Sequence, residues 1–239
     1  MKVTVVIPAY NEEERIESAV ISVLKQNYKD TEIIVVDNNS KDRTAEKVKA
    51  YASRGVRLVK EEKQGLLYAR ERGRLEAEGE IIANLDADSI PAPDWIEKGI
   101  KYFTDEKVVA VSGIYDYHDG GKFFRISSQI TQKALYPVLH LIIHKILHIG
   151  AAFISGNNFI RKSALDKAGG YTKSSMLNGE DVDTGKKMTK MGKVIFAPEL
   201  TVLSSARRFN KLGTLNLFWQ YMINDLWVLV FDRPFHKQN

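Results

Sequence analysis

The sequence predicts an α/β fold built on a mostly parallel central sheet. Strand and helix signals alternate over about the first 110 residues, which implies parallel strands joined by right-handed crossovers. The predicted strands are continuous apolar runs rich in β-branched residues, as expected of strands buried on both faces. Polar residues directly follow three of these runs, which predicts one polar crevice at the carboxyl edge of the sheet.

The elements of the first half follow one another with short connections. The predicted strands are Val3 to Ile7, Glu32 to Val36, Val56 to Val59 and Glu80 to Leu85. The predicted helices are Glu12 to Gln26, Asp42 to Ala52 and Gly65 to Ala77. The polar strand ends expected to converge are Pro8 to Glu12, Asp37 to Ser40 and Asp86 to Ser89.

The pattern of the second half is less regular. Strand structure is predicted over Val108 to Tyr117, Ala151 to Ile160 and Lys193 to Phe196. Helices are predicted over Ser127 to Ile149, Glu180 to Met191 and Leu212 to Phe231. Because no stretch has the composition of a linker, we predict a single domain spanning residues 1–239 with an amphipathic helical C-terminal part.

The composition excludes several kinds of site. The 239 residues include no cysteine, so disulfides, thiolate metal sites and a cysteine nucleophile are excluded, and a reducing cytoplasmic compartment is favoured. The net charge of +5 permits an anionic partner such as a nucleotide or a membrane surface, and we predict no nucleic-acid partner. The N-terminal apolar run is too short for a signal peptide. Neither a dinucleotide-binding Gly-x-Gly-x-x-Gly nor a Gly-Lys-Ser/Thr phosphate loop is present.

Asp86-Ala87-Asp88 is the first candidate metal site. Alternate carboxylates at a strand end can both reach a divalent cation, and Mg²⁺ or Mn²⁺ prefers oxygen ligands that it shares with substrate phosphates. An Asp-rich turn is the other interpretation, and the position beside two further polar strand ends favours the metal site. Asp37 ends the second strand, where its carboxylate could bind a ribose or a base edge, or form an Asx-turn.

Four motifs in order resemble those of the family-two glycosyltransferases. They are Val6 to Glu12, Val35 to Asp42, Gly65 to Arg70 and Leu85 to Asp88. Further segments similar to family features are Gly156 to Phe159, Ala168 to Tyr171 and Gly179 to Asp181. The resemblance implies a GT-A fold and the transfer of a sugar, with inversion, from a nucleotide-diphosphate donor such as a UDP- or GDP-sugar.

The resemblance also implies roles for individual residues. Asp181 would be the catalytic base, while Asp86 and Asp88 would bind the metal, Mn²⁺ or Mg²⁺, together with the diphosphate. The other residues expected at the nucleotide-sugar site are Pro8, Ala9, Tyr10, Glu12, Asp37, Asn39, Gly65, Arg70, Ala87, Gly156, Asn157, Glu180, Arg207 and Arg208. Without the resemblance, Glu180 and Asp181 would be helix-initial acids favoured by the helix dipole.

The segment Ser205 to Phe209 departs from the family pattern. Processive relatives carry Gln-x-x-Arg-Trp at the comparable place, and Ser205 here stands where the Gln would be, which argues against polymer synthesis. Arg207 and Arg208 could still bind a diphosphate or an acceptor phosphate in a bidentate manner. A solvated basic turn is the equal alternative.

Two amphipathic stretches complete the predictions. His140, His144 and His148 recur at helical spacing, and since the outer pair lies roughly 12 Å apart, they are predicted to form a polar stripe rather than one metal site. The apolar residues expected opposite them are Leu135, Leu139, Ile142, Ile146 and Ile149. Leu215 to Phe231 is aromatic with basic flanks, and we expect it in a membrane interface rather than on the core or a partner subunit.

The overall prediction is an inverting, metal-dependent hexosyltransferase. Residues 1–112 would bind the nucleotide sugar, residues 113–211 the acceptor, and residues 212–239 would form the amphipathic helix. The acceptor would be a glycan of the cell envelope or a lipid-linked one, at the cytoplasmic face of the membrane. The alternatives are a nucleotidyltransferase, a polyprenyl-phosphate sugar synthase and a non-catalytic nucleotide-sugar-binding protein. A nucleotidyltransferase would normally carry a Gly-rich basic loop after the first strand, which is absent here.

Overall fold

A computed structural model describes residues 1–171 and 179–212. The strands are β1 (Val3–Ala9), β2 (Thr31–Asp37), β3 (Val56–Lys60), β4 (Ile81–Leu85), β5 (Ile90–Pro91), β6 (Val108–Tyr117), β7 (Asn157–Arg161) and β8 (Lys193–Ser204). The α-helices are α1 (Ile16–Leu24), α2 (Thr44–Lys49), α3 (Leu66–Glu76), α4 (Trp95–Ile100), α5 (Lys122–Ile130), α6 (Tyr136–His140), α7 (Lys162–Lys167), α8 (Glu180–Met191) and α9 (Arg207–Leu212). Short 3₁₀ turns cover Ala52–Arg54 and Lys101–Thr104, and π-helical turns cover Thr131–Leu135 and Leu141–Ile146.

The eight strands form one sheet with the order β3-β2-β1-β4-β7-β6-β8-β5. Only β7 and β5 run antiparallel to their neighbours, so six of these eight strands share one direction. The predicted α/β class with a mostly parallel sheet is therefore confirmed. Strands from both predicted halves of the chain belong to this sheet, while the division at residue 112 and the single domain over 1–239 stay predictions.

Apolar side chains cover both faces of the sheet. Every residue of β1 is buried, and because successive side chains of a strand point to opposite faces, β1 contributes to two core clusters. Val5 and Ile7 pack in the cluster that contains α1 and Trp95. Val6 packs in the other cluster, with α3 and α8, and a Cβ at Gly73 would overlap the Val6 side chain. The small residue thus lets α3 lie close to β1.

The first helix begins later than the sequence predicts. It starts at Ile16 rather than Glu12, because the preceding backbone is bonded to the next loop instead. The Glu12 N–H donates to Thr44 Oγ1 (2.8 Å) and the Glu13 N–H donates to Asp42 Oδ2 (3.0 Å). These bonds join the loop after β1 to the loop after β2, which places both polar strand ends side by side.

Three predictions for the second half need correction. The sequence predicts a strand over Ala151 to Ile160, but the observed strand, β7, begins only at Asn157. The backbone before it bonds to side chains instead, since the Ile154 N–H donates to Ser112 Oγ and the Ser155 N–H donates to Asp181. The strand predicted to end at Phe196 continues to Ser204, since β8 stays paired with β6 across a register shift. The helix predicted from Ser127 begins at Lys122 and includes both π-helical turns.

The predicted C-terminal helix, Leu212 to Phe231, and its membrane contact lie outside the described residues. Across residues 1–171 and 179–212, no helix combines the length and the apolar character needed to cross a membrane.

Candidate active site

The loops after β1 and β2 are tied together by Asn38. Ala9 and Asp37 are paired in register, and the Asn38 N–H donates to the Ala9 carbonyl at 2.8 Å. The buried Asn38 amide donates to two backbone carbonyls of the loop 61–63 (3.1 and 2.8 Å) and accepts from the Gly65 N–H (2.7 Å). Gly65 has φ of 142°, which favours glycine, and it directly precedes α3. Asn38 therefore fixes the start of α3 against the strand ends.

The predicted nucleoside-binding residues line this edge of the sheet. Pro8 is buried in β1, whereas Tyr10 just beyond the strand is 44% exposed. Asp37 is buried at the end of β2, and its Oδ1 accepts from the Ser40 N–H at 3.3 Å, so the Asx-turn interpretation also describes its contact. Asn39 lies in the left-handed region with φ of 63°. The polar residues predicted to follow β1 and β2 thus lie side by side at the carboxyl ends of these strands, while a crevice that binds a nucleoside there stays a prediction.

Asp86, directly after β4, is held by two side chains. Its Oδ1 accepts from Arg70 Nη2 (3.2 Å), and its Oδ2 accepts from the Tyr115 hydroxyl (2.6 Å). A Cβ at Gly156 would overlap both the Asp86 carboxylate and the Tyr115 oxygen. Gly156 therefore acts by leaving room for this arrangement.

Asp88 lies across the Asp86-Ala87-Asp88 turn, next to Arg207. The Arg207 Nε is 3.4 Å from Asp88 Oδ2, and the Arg207 Nη2 donates to Glu12 Oε1. Burial raises the pKa of Asp88 to about 7, the Asp86 charge adds to the rise, and Arg207 opposes it. The Asp88 carboxyl is therefore buried beside a second acid and has one cation, Arg207, within ion-pair distance.

Arg70 is a buried cation in the same cluster, with 2% of its side chain exposed. Burial alone would lower the pKa of Arg70, but the charges of Asp86 and Glu180 outweigh it and the net pKa is raised. Among the described residues, its Nε and Nη1 find no hydrogen-bond partner. A buried donor without a partner costs about 1–3 kcal/mol, so these two groups are suited to an anionic or hydroxyl-bearing ligand.

Asp181 lies in the first turn of α8, close enough to Arg70 for their charges to interact. Its Oδ1 accepts from the Ser155 N–H at 2.7 Å. Enclosure of its carboxyl by protein raises the pKa of Asp181 well above the ordinary value, and Glu180 raises it further, against Arg70. Burial is therefore the largest cause of this raised pKa, and the neighbouring acid Glu180 adds to it. Asp183, two residues on, pairs with Lys187 at 3.6 Å instead.

Two of the predicted residues are placed apart from this cluster. Asn157 is fully buried within the sheet, where its amide donates to the carbonyls of Ile114 and Leu200 (both 2.8 Å) and accepts from Trp95 Nε1 (2.9 Å). Arg208 is exposed on α9 beside Arg207. Contact of either with a nucleotide sugar stays a prediction.

Three contributing residues escape the sequence patterns. Tyr115 belongs to β6, a mostly apolar strand in which it looks like a core residue, and Asn38 looks like an ordinary turn residue. Asp119 accepts hydrogen bonds from Ser205 Oγ (2.6 Å) and the Ala206 N–H (2.5 Å), and so anchors the turn that carries Arg207. Its partners are 86 and 87 residues away, a separation over which sequence periodicity carries no signal.

The histidine stripe is packed against protein rather than exposed. His140 and His144 are buried and their rings stack 4.9 Å apart, while His148 is exposed. The part of the chain that the structure describes has no group of three or more acidic or histidine side chains placed to bind a metal ion. A divalent cation at Asp86 and Asp88 would therefore take its remaining ligands from substrate and water.

A family model described as glycosyl transferase family 2 matches residues 4–169. The chain belongs to glycosyl transferase family 2. The predicted family is thereby confirmed, and the matched range contains the crevice, Arg70, Asp86, Asp88 and Gly156 but ends before Asp181 and Arg207.

Curated relatives of this family 2 member are glycosyltransferases. The glycosyltransferase AglE of Haloferax volcanii is 28% identical over 219 residues, which span 88% of this chain and 69% of that protein. The dolichol-phosphate mannosyltransferase of Pyrococcus furiosus is 34% identical over 177 residues, 70% of this chain and 48% of that protein. The chain thus spans about half the length of the second relative.

The fold of this family 2 member also matches a solved transferase. The mannosyltransferase PcManGT of Pyrobaculum calidifontis, solved in complex with GDP-Man and Mn²⁺, aligns with a TM-score of 0.68 at 24% identity, over 94% of this chain and 61% of that one. At this identity the likeness concerns the fold, and the predicted GT-A fold is confirmed. The roles assigned to individual residues stay predictions.

Proposed function

We propose that this chain transfers a sugar, with inversion at the anomeric carbon, from a nucleotide-diphosphate donor to a hydroxyl of a lipid-linked or cell-envelope glycan. The observation that carries the proposal is the placement of Asp86 and Asp181 around the buried Arg70, with Asp88 beside Asp86 and paired with Arg207. Paired carboxylates at the end of a strand suit a metal-bound diphosphate, and a separate carboxyl suits a proton acceptor.

Asp86 and Asp88 would hold Mn²⁺ or Mg²⁺. The donor set fits: both ligands are hard oxygens, and the pKa of Asp88 is raised first by burial and then by the Asp86 charge, which a divalent cation would offset. When bound, the cation would neutralise charge developing on the departing diphosphate. Tyr115 and Arg70 hold Asp86 in one orientation, so its carboxylate needs little reorganisation to bind a cation.

The donor diphosphate would lie between Arg70 and Arg207. Arg70 offers two unused N–H groups from a site where its charge is only weakly screened. Arg207 now bridges Glu12 and Asp88, and it could transfer one arm of its guanidinium to a phosphate. The nucleoside would lie over the ends of β1 and β2, against Pro8, Tyr10 and Asp37.

Asp181 would take the proton from the acceptor hydroxyl as that oxygen attacks. A carboxyl with a raised pKa is a stronger base once ionised, which favours proton transfer near neutral pH. The Ser155 N–H fixes one carboxylate oxygen and leaves the other for the acceptor. Asp86 also raises this pKa, so charge neutralisation at Asp86 would help to ionise Asp181.

We place the reaction at the cytoplasmic face of a membrane. One relative is named for a dolichol-phosphate acceptor, and the absence of cysteine fits a reducing compartment. The same relative favours a second candidate, the polyprenyl-phosphate sugar synthase, whose phosphate acceptor is already an anion at neutral pH. That reaction needs no base, so the behaviour of Asp181→Asn separates the two candidates.

The test is a panel of UDP- and GDP-sugars with Mn²⁺ or Mg²⁺, read by thermal shift and by donor hydrolysis. We expect one donor to raise the thermal midpoint only with metal, and Asp88→Asn to abolish that shift. No stabilisation by any nucleoside diphosphate with metal would refute the proposal. Stabilisation without turnover on any acceptor would favour a non-catalytic binding protein.

Asp181→Asn tests the base. We expect transfer to a hydroxyl acceptor to fall by at least about 100-fold, with the donor dissociation constant nearly unchanged. Asp183→Asn is the matched control, since Asp183 lies on the same helix and pairs with Lys187. Full transfer by Asp181→Asn to a polyprenyl phosphate would favour the synthase, and a large loss of donor affinity would remove Asp181 from the base role.

A further inference from the structure

The segment from Lys122 to Ile149, which is helical as far as Ile146, is amphipathic with its polar side turned inward. Of the sixteen exposed large apolar side chains in the described part of the chain, eleven lie in this segment. Phe123, Ile130 and Ile146 are exposed by 86%, 62% and 63%. With Ile126, Val138 and Ile142 they recur at helical spacing, and these six residues define the apolar outer face. Exposed apolar patches of this extent mark an interaction surface.

Polar side chains attach the other side of the segment to the sheet. Gln132 Oε1 accepts from the Tyr115 N–H (2.8 Å), and Gln132 Nε2 donates to the Tyr115 carbonyl (2.9 Å). His140 Nε2 donates to the Val194 carbonyl (3.1 Å), and His144 Nε2 accepts from the Val194 N–H (3.2 Å). Because these buried groups are satisfied in this orientation, rotation of the segment to bury its apolar residues would break them.

The charged residues of the segment itself are all basic, and one of them, Arg125, is paired with Asp116 of β6. No acidic residue lies between Asp119 and Asp166, whereas Lys122, Lys133 and Lys145 lie within the segment and are exposed. An apolar face flanked by lysines is the pattern of a helix lying in the interface of an anionic bilayer. A protein partner would need acidic groups opposite these lysines, and a bilayer with anionic headgroups supplies them without a specific fit.

We propose that the apolar outer face is the surface by which this chain lies on a membrane containing anionic lipid. The segment is parallel to the bilayer, with the side chains of Phe123, Ile130 and Ile146 among the acyl chains and the lysines at the phosphates. Gln132 joins the segment to Tyr115, whose hydroxyl contacts Asp86, so the bound membrane lies next to the candidate active site. Membrane binding by this face does not depend on the proposed function. Only the suggestion that it brings the site close to a lipid-linked acceptor rests on the proposed function.

The chain has no cysteine, which allows a single environment-sensitive dye at a chosen position. Ile130→Cys carries an NBD dye on the apolar outer face. Leu75→Cys is the matched control, since Leu75 is 60% exposed but lies on α3. With vesicles of phosphatidylcholine and phosphatidylglycerol, we expect NBD emission at position 130 to increase and shift to the blue, and emission at position 75 to stay unchanged. Equal responses at both positions, or none at position 130, would overturn the proposal.

A second variant tests the energetics on the full chain. Ile130→Glu with Ile146→Glu removes apolar surface and adds negative charge, so we expect partition onto the same vesicles to fall at least about tenfold. Circular dichroism should stay unchanged because both side chains are exposed. Unchanged partition would overturn the proposal. The proposal would also be overturned if the wild type were a dimer that does not bind vesicles and if this variant were a monomer. That result would show that the apolar outer face contacts a second copy of the chain. The readouts need no donor, metal or acceptor, so vesicle binding without sugar transfer would refute the proposed function alone.

Discussion

Gly156→Ala provides the sharpest test of the geometry around Asp86. The added Cβ would lie too close to the Asp86 carboxylate and the Tyr115 oxygen for any real side chain. Relief of this overlap requires the carboxylate to move by about 1 Å, and a misplacement of that size costs about 100-fold in rate. We therefore expect the kcat/KM for sugar transfer to fall about 100-fold, equivalent to about 2.7 kcal/mol. The overpacking should also reduce the unfolding free energy by about 1–3 kcal/mol.

The assay compares Gly156→Ala with Gly121→Ala at several Mn²⁺ concentrations. A Cβ at Gly121 meets nothing within 4 Å, so this control adds the same methyl group without an overlap. We expect Gly156→Ala to need more Mn²⁺ for half-maximal rate and Gly121→Ala to resemble the wild type. Wild-type rate and Mn²⁺ dependence in Gly156→Ala would refute the reasoning, and an equal loss in both variants would assign the effect to the methyl group itself.

Three further predictions concern residues that hold the site in place. Burial lowers the pKa of His140 to about 4, so its contribution to stability is complete above pH 6.5 and declines as the pH falls, by about 2 kcal/mol at pH 5. Urea titrations should then show the stability difference between wild type and His140→Gln narrowing from pH 7 to pH 5, and a constant difference would contradict this. Asn157→Ala leaves buried groups unpaired and should lower the unfolding free energy by about 3 kcal/mol at unchanged donor KM, whereas a raised KM would place Asn157 at the donor. Asp119→Ala removes two hydrogen bonds beside Arg207 and should raise the donor KM several-fold with a small change in thermal midpoint; an unchanged KM would separate Asp119 from the site.

The N-terminal half of the fold, which contains β1 to β4, is predictable because its sequence signals are local. β1 to β4 are short apolar runs ended by polar residues, and strand direction follows from the helices between them. The convergence of Glu12, Asp37 and Asp86 follows from the same rule, since the carboxyl ends of parallel strands meet at one edge. No contact between distant residues has to be known for this step.

The C-terminal half of the fold is less predictable because backbone groups there form hydrogen bonds with side chains that are distant in the sequence. The predicted strand before Asn157 fails where Ser112 and Asp181 accept the backbone N–H groups of Ile154 and Ser155. The Tyr115 hydroxyl donates a hydrogen bond to Asp86, which lies 29 residues earlier in the sequence. Tyr115 itself belongs to a mostly apolar strand. The periodicity of a sequence describes one helix or strand at a time, so it does not reveal hydrogen bonds between distant residues.

The orientation of an amphipathic helix is a further limit of periodicity. The spacing of His140 and His144 opposite the leucines and isoleucines predicts two faces but not which one meets the protein. The usual rule would bury the apolar face. Here the histidines and Gln132 bond to β6 and β8 instead, and only their hydrogen-bond partners reveal this.

The candidate site exists only where the two halves meet. Arg70 comes from the N-terminal half of the chain, and its charge acts both on Asp86, which follows β4, and on Asp181, which lies in the first turn of α8. Arg207 comes from the end of the described chain and bridges Glu12, which follows β1, and Asp88, which belongs to the predicted metal site. Each arginine therefore links carboxylates that the sequence places far apart. Removal of either arginine would leave neighbouring carboxylates without their positive partner. We therefore expect substitution of either arginine to disturb both proton transfer and donor binding, rather than one of them alone.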